Sequence, residues 1–309
     1  MKYPSLLLTG LLALGACTPK GELAPGAPAV PGPPPGSSPG PSPFPSPSPS
    51  PTDNARVYGV TLDNIANLSS IVSSLAQLAK KPTARIVFDE NVAASYYLAA
   101  ATQIHNVAYI MGEILDSYYV KNISLAAYKT RTTQYLDTLG PRVDIWEVGN
   151  EINGEWLGTT SDVSAKMAGA YDLVKARGLK TALTLYYNKD CWESVDHEMF
   201  AWTAANVPTR MRSGLDYLWV SYYEEDCNGL RPAWTPIFER LATMFPNSKI
   251  GFGEVGTKAS ASKADYIKRY YGLSIPVPSY VGGYFWWYFY QDMVPSTQTL
   301  WGVLNTAIR

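Results

Sequence analysis

From residue 55 to the C-terminus the chain alternates between two hydrophobic periods. That alternation restricts its fold more than any other feature. Apolar, often β-branched runs occupy 55–61, 83–88, 107–112, 143–149, 181–187, 216–223, 249–254 and 282–290, and read as strands. Helical patterns lie between them at 64–80, 92–104, 123–138, 161–177, 194–206, 233–245 and 261–272. In the first of these, Ile65, Leu68, Ile71, Val72, Leu75 and Leu78 form one stripe, the mark of a helix with one buried face. Ser161 and Asp162 offer N-caps to the fourth, and Gly178 a stop,. The stretch 295–309 is expected to be only partly helical. Eight strands and seven or eight helices in about 255 residues predict an α/β protein of the (β/α)8 TIM-barrel type. A doubly wound sheet would carry a Gly-rich turn after its first strand, where Gly59 stands alone,.

Two of these strands end alike. Ile145-Trp146-Glu147-Val148-Gly149-Asn150-Glu151 closes the fourth, and Ile250-Gly251-Phe252-Gly253-Glu254-Val255-Gly256 closes the seventh. In each, an apolar run stops at a Glu with a glycine one or two positions before it. The C-terminal strand ends of a barrel ring one mouth, so Glu151 and Glu254 are predicted to share a pocket there. Glu147 lies on the same strand as Glu151 but about 13 Å lower at ~3.3 Å per residue, and reads as structural. Glu113, after Met111-Gly112, ends the third strand and is placed to line the pocket.

Composition narrows the chemistry. A net charge of −1 gives no electrostatic reason to bind nucleic acid or an anionic membrane face,. With two histidines, His105 and His197, both in helical regions, and no C-x-x-C pair or Cys/His cluster, no metal site or cofactor is expected,. The 22 Tyr and 9 Trp are concentrated late in the chain. Their flat apolar faces with a polar handle suit sugar stacking as well as core packing.

The N-terminal part is different. Residues 1–17 combine Lys2, an apolar stretch from Leu6 to Leu14, and Leu14-Gly15-Ala16-Cys17, which reads as an export signal. It resembles a bacterial lipoprotein signal with its lipobox. That resemblance implies lipidation of Cys17 and a membrane-anchored, exported protein, periplasmic or on the cell surface. Residues 18–54 hold 13 of the 24 prolines between Pro25 and Pro51, mixed with Gly and Ser. Such a stretch buries no core and is expected to be a disordered, extended linker. The barrel domain is thus expected at 55–309.

The pair Asn150-Glu151 ending strand four and Glu254 ending strand seven resemble clan A of the glycoside hydrolases. Val148-Gly149-Asn150-Glu151-Ile152-Asn153 and Ser221-Tyr222-Tyr223 are most similar to the endo-β-1,4-galactanase family within it. After Tyr223 this sequence departs from the galactanases, with Glu224-Glu225-Asp226 in place of a Pro-aromatic pair. The resemblance implies a retaining hydrolase of β-linked glycans in which Glu151 is the acid/base and Glu254 the nucleophile. Retaining enzymes hold two such carboxyls about 5–5.5 Å apart.

The same resemblance implies roles for further residues. Asn150 would donate to the sugar 2-hydroxyl. Arg85, in the second strand, would stand near the nucleophile. An arginine inside an apolar strand needs an anion, so an ion pair with Glu147 or Asp89 is the other reading. Tyr223 would hydrogen-bond the nucleophile, with Tyr222 the alternative, since strand parity turns only one inward. A Trp on strand eight would form a sugar platform, and Trp286 is preferred to Trp287. Trp156, Tyr186, Tyr187 and Trp192 are candidates for stacking beyond the cleavage point. The short loops favour an open cleft and internal cutting; the protein is expected to be a monomer. The rival readings are a non-catalytic glycan-binding lipoprotein and a barrel lyase or isomerase.

Cys191 and Cys227 follow strands five and six, which are neighbours in a barrel. In an oxidising compartment a disulfide is predicted between them.

Overall fold

The computed structural model describes residues 56–309. The signal segment, the Pro-rich linker and Cys17 lie outside the described residues. Eight strands, β1 (Val57–Leu62), β2 (Thr83–Val87), β3 (Tyr109–Glu113), β4 (Ile145–Glu147), β5 (Thr181–Tyr186), β6 (Tyr217–Tyr222), β7 (Lys249–Val255) and β8 (Tyr280–Trp286), are parallel and close into a barrel in sequence order. The helices are α1 (Leu68–Ala76), α2 (Leu98–His105), α3 (Leu125–Leu139), α4 (Thr160–Lys175), α5 (Met199–Asn206), α6 (Thr209–Gly214), α7 (Trp234–Met244), α8 (Lys263–Tyr271), α9 (Phe289–Met293) and α10 (Thr299–Ala307). The predicted (β/α)8 architecture is therefore the one observed.

The departures from the sequence reading are local and have local causes. Helix α1 starts late because Asn67 precedes it in a left-handed conformation. Pro208 has no N–H to continue α5, so the chain breaks and restarts as α6,. Strand β4 is only three residues long, although Val148 N–H and Gly149 O still bond to β5 beyond its end, at Ala182 O and Thr184 N–H. The last expected strand, 282–290, stops at Trp286 and turns into α9.

Two apolar layers carry the fold. The larger lies between strands and helices and includes Ile86, Val148, Leu183, Tyr222, Phe252 and Trp286. The smaller fills the lower barrel with Val57, Met111, Ile145, Ala182, Tyr217, Trp219, Val281 and Phe285. Phe285 occupies the axis opposite Gly59, where a Cβ would stand 2.5 Å from its ring. Above this plug the inward positions turn polar: Arg85, Glu113, Glu147, Thr184 and Ser221 are all buried. A barrel interior is a stack of side-chain layers, and here the upper one is ionic.

Candidate active site

The polar layer is organised by Arg85, which is 1% exposed. Its Nε donates to Glu147 Oε2 at 2.6 Å and its Nη1 to Glu254 Oε1 at 2.6 Å. Its Nη2 lies 3.0 Å from Glu113 Oε2. One guanidinium thus faces three buried carboxyls from β3, β4 and β7. Burial raises Glu113 well above the usual carboxylate range and also raises Glu147; Arg85 acts against it in both. Thr184 donates a further, short hydrogen bond to Glu147. Both sequence readings of Arg85 hold at once: it pairs with Glu147 and it touches Glu254.

Glu254 reaches the mouth through a bulge. Val220 pairs with Phe252 and Tyr222 with Val255, so Gly253 and Glu254 together stand opposite Ser221. A bulge re-aims the side chain it carries. It also needs a small residue, since a Cβ on Gly253 would lie 2.8 Å from Thr184 and 3.0 Å from Ser221 Oγ. The backbone N–H of Glu254 donates to Ser221 Oγ at 3.0 Å. Its carboxylate accepts from Arg85, from Tyr223 Oη at 2.9 Å and from Asn150 Nδ2 at 3.3 Å. Three donors on two oxygens are a set that suits an anion.

Glu151 sits differently. It has φ 48°, a left-handed conformation that costs a non-glycine residue free energy and gathers at functional positions. The carboxyl is buried, and Oε1 has no hydrogen-bond partner among the described residues. Burial, then the charges of Glu254 and Asp116, raise its pKa well above the ordinary value, and Arg85 and a hydrogen bond with Ser221 only partly oppose them. Asp116, after β3, is itself pushed up to about 6, mainly by burial and then by Glu254. The two glutamates therefore differ in environment: Glu254 accepts from a guanidinium, a phenol and an amide, whereas Glu151 has only hydroxyl donors and an unpartnered Oε1.

The remaining predicted residues sort by geometry. Tyr223, not Tyr222, faces the mouth. Tyr222 packs behind the strand against Tyr187 and Trp234, with its hydroxyl on Leu230 O at 2.5 Å. The preference for Trp286 is corrected. It is fully buried, and its indole N–H donates to Asp292 at 3.1 Å. Phe285 points into the barrel, so alternation turns Trp286 outward and Trp287 back inward. Trp287 is half-buried with Arg85 5.9 Å from its ring. Trp156 meets Tyr186 edge to face at 5.5 Å, whereas Tyr187 belongs to the outer core. Trp192 is partly exposed in the turn after β5. His105 pairs with Asp144 at 3.3 Å and His197 with Asn153 O at 2.9 Å, both away from the carboxyl cluster.

Cys191 and Cys227 form a disulfide, with Cα atoms 5.2 Å apart, that ties the turn after β5 to the turn after β6. The latter turn is also held by Glu224, which is buried and accepts from Arg231, Arg269 and Tyr270. Sequence reasoning gave no role to Ser117, Asp116, Thr184 or Ser221. The inward parity of Ser221, two residues before Tyr223, is a signal that could have found it. Ser117 and Asp116 come from a loop far from Glu151 in sequence, and no local pattern marks them.

No protein-family model matches the chain, and no curated protein matches it in sequence. Solved structures do match. The chain is similar to PbGH5A, a glycoside hydrolase family 5 enzyme from Prevotella bryantii B14, with a TM-score of 0.55 and 14% identity over 83% of this chain and 97% of that one. It is also similar to Saccharomyces cerevisiae Gas2p in complex with laminaritriose and laminaritetraose, with a TM-score of 0.52 and 12% identity over 82% of this chain. This chain spans 64% of that Gas2p chain. At such identities the likeness establishes the fold: a (β/α)8 barrel of the kind on which these proteins are built.

Proposed function

We propose that the protein is a retaining glycoside hydrolase that cleaves β-linked glycans internally. One observation carries the reading: at the barrel mouth Glu254 is gripped by Arg85, Asn150 and Tyr223, while Glu151 is left buried and proton-retaining. Glycoside cleavage needs that division. Glu151 gives its proton to the departing glycosidic oxygen while Glu254 bonds to the anomeric carbon from the opposite face. Once Glu254 is esterified its negative charge is gone, and the main charge holding the proton on Glu151 goes with it. Glu151 then takes a proton from water, which releases the sugar from Glu254 with net retention. Tyr223 and Arg85 orient the nucleophile, Asn150 is free to donate to the 2-hydroxyl once sugar displaces its contact, and Trp287 offers an aromatic face to the ring.

Clan A membership, the galactanase-like motifs, anchoring through a lipid on Cys17 and action as a monomer belong to the same proposal. A reducing-sugar assay over β-1,4-galactan, β-mannan, xylan and β-1,4- and β-1,3-glucans tests it. The last is included because Gas2p is similar in fold and has been seen with laminari-oligosaccharides. Activity on one polymer, with short oligosaccharides appearing before monosaccharide and abolished by Glu254→Ala, supports the reading. No activity on any of them, or activity that survives Glu254→Ala, overturns it.

A further inference from the structure

Glu151 is approached by a serine whose own hydrogen bonding is already half spent. Ser117 comes from the 3-10 turn after β3 and is buried. Its Oγ accepts the indole N–H of Trp156 at 3.0 Å and lies 3.5 Å from Glu151 Oε2 as a donor. A hydroxyl has one hydrogen. With an N–H fixed on its oxygen, that hydrogen is left to point at the carboxyl. Trp156 is itself held, edge to face, against Tyr186 at 5.5 Å, so the donor that orients Ser117 does not wander. Ser221, whose oxygen already accepts the Glu254 N–H, also hydrogen-bonds the Glu151 carboxyl, so Ser117 is a second hydroxyl donor to it. The opposite oxygen, Oε1, has none.

We propose that Trp156 and Ser117 form a positioning relay for Glu151, in which the indole fixes the serine rotor and the serine favours the ionised form of the carboxyl. Neither residue touches the reacting bond. The relay has a purpose in a two-step reaction. Burial and neighbouring acids make Glu151 a good acid for the first step, but the second step needs it ionised. The Ser117 donor at Oε2 adds to the bond from Ser221, offsets part of that bias and leaves Oε1 for the glycosidic oxygen or water. It also connects the carboxyl to an aromatic residue at the rim. The functional meaning of the relay rests on the assignment of Glu151 as acid/base; the hydrogen-bond chain itself does not.

The test is a direct titration of the Glu151 carboxyl by carbon-13 NMR on the folded full-length protein, with the resonance assigned through Glu151→Gln. Ser117→Ala removes the donor and should raise the midpoint by about half to one pH unit. Trp156→Phe keeps an aromatic ring but releases the serine rotor, and should raise it by a smaller amount. Ser117→Thr keeps the hydroxyl and should leave it near the wild-type value. A residue that only fills space would not move the midpoint in this order. An unmoved or lowered midpoint in Ser117→Ala overturns the relay, and so does an equal rise in Ser117→Thr. Should Ser117→Ala fail to fold, Trp156→Phe decides alone: a rise supports the relay and an unmoved midpoint overturns it. If the midpoints move as expected but the wild type cleaves no glycan, the hydrolase assignment fails and the relay stands.

Discussion

Arg85 Nη1 and Glu254 Oε1 are 2.6 Å apart at the centre of the barrel, and the same guanidinium holds Glu147 at 2.6 Å. The pair gives a carboxyl that is only 5% exposed a cation within hydrogen-bond distance. Breaking a buried ion pair by removing one partner leaves an uncompensated charge, at a cost of about 3–5 kcal/mol. Here three carboxyls would lose their cation together. Arg85→Met should lower the unfolding free energy in urea by that order and abolish turnover. Arg85→Lys keeps the charge but lacks the fork, and should retain folding while losing most of kcat. A variant Arg85→Met as stable as the wild type would show that the ionic layer does not hold the barrel mouth.

Asp116 makes a prediction with a definite sign. Its pKa in the fold is about 6 against an ordinary 3.8. The folded state therefore binds more protons than the unfolded chain between those values, and stability falls as pH rises through that window. Asp116→Asn removes the penalty. It should be more stable than wild type at pH 7 by about 3 kcal/mol and equal to it near pH 3. Because Asp116 also raises Glu151, the alkaline limb of kcat/KM should move to lower pH in the same variant. Thermal unfolding and rate profiles across pH 4–9 check both; a limb that moves upward contradicts the assigned field.

The two adjacent tryptophans should separate stability from activity. Trp286 is a fully buried member of the outer core, and Trp286→Ala should cost about 3–5 kcal/mol. Trp287 is half-buried beside Arg85. Trp287→Ala should change the unfolding midpoint little and lower kcat/KM at least tenfold. Equal stability losses in both variants would place Trp287 in the core instead of the cleft.

The barrel was readable because its signal is repeated: eight apolar runs and the helical stripes between them each point to the same architecture. Glu151 and Glu254 were readable because each apolar run stops at a polar residue flanked by glycine. Parity at the strand ends was not. The bulge at Gly253–Glu254 turns two consecutive residues toward the mouth, and a strict period of two has no place for it. The same limit left Trp286 and Trp287 undecided, since the end of β8 had to be known before either could be oriented. Arg85 drew two competing readings because sequence offers one partner at a time, whereas the fold gives it three. Ser117 was silent for another reason. It lies 34 positions from Glu151, and only barrel closure brings the loops after β3 and β4 together.

The central claim is the division of labour between Glu254 and Glu151, and azide rescue tests it most directly. On an aryl β-glycoside of the sugar identified by the polymer panel, the leaving group needs no proton. Glu151→Ala should then form the glycosyl-enzyme and stall, and azide, which needs no base, should restore turnover and give the β-glycosyl azide. In Glu254→Ala azide should enter from the vacated face and give the α anomer. The anomeric proton coupling in the NMR spectrum distinguishes the two products. A β azide from the Glu151 variant and an α azide from the Glu254 variant are the predicted results; the reverse pairing would exchange the roles, and full activity in either variant without azide would contradict the mechanism.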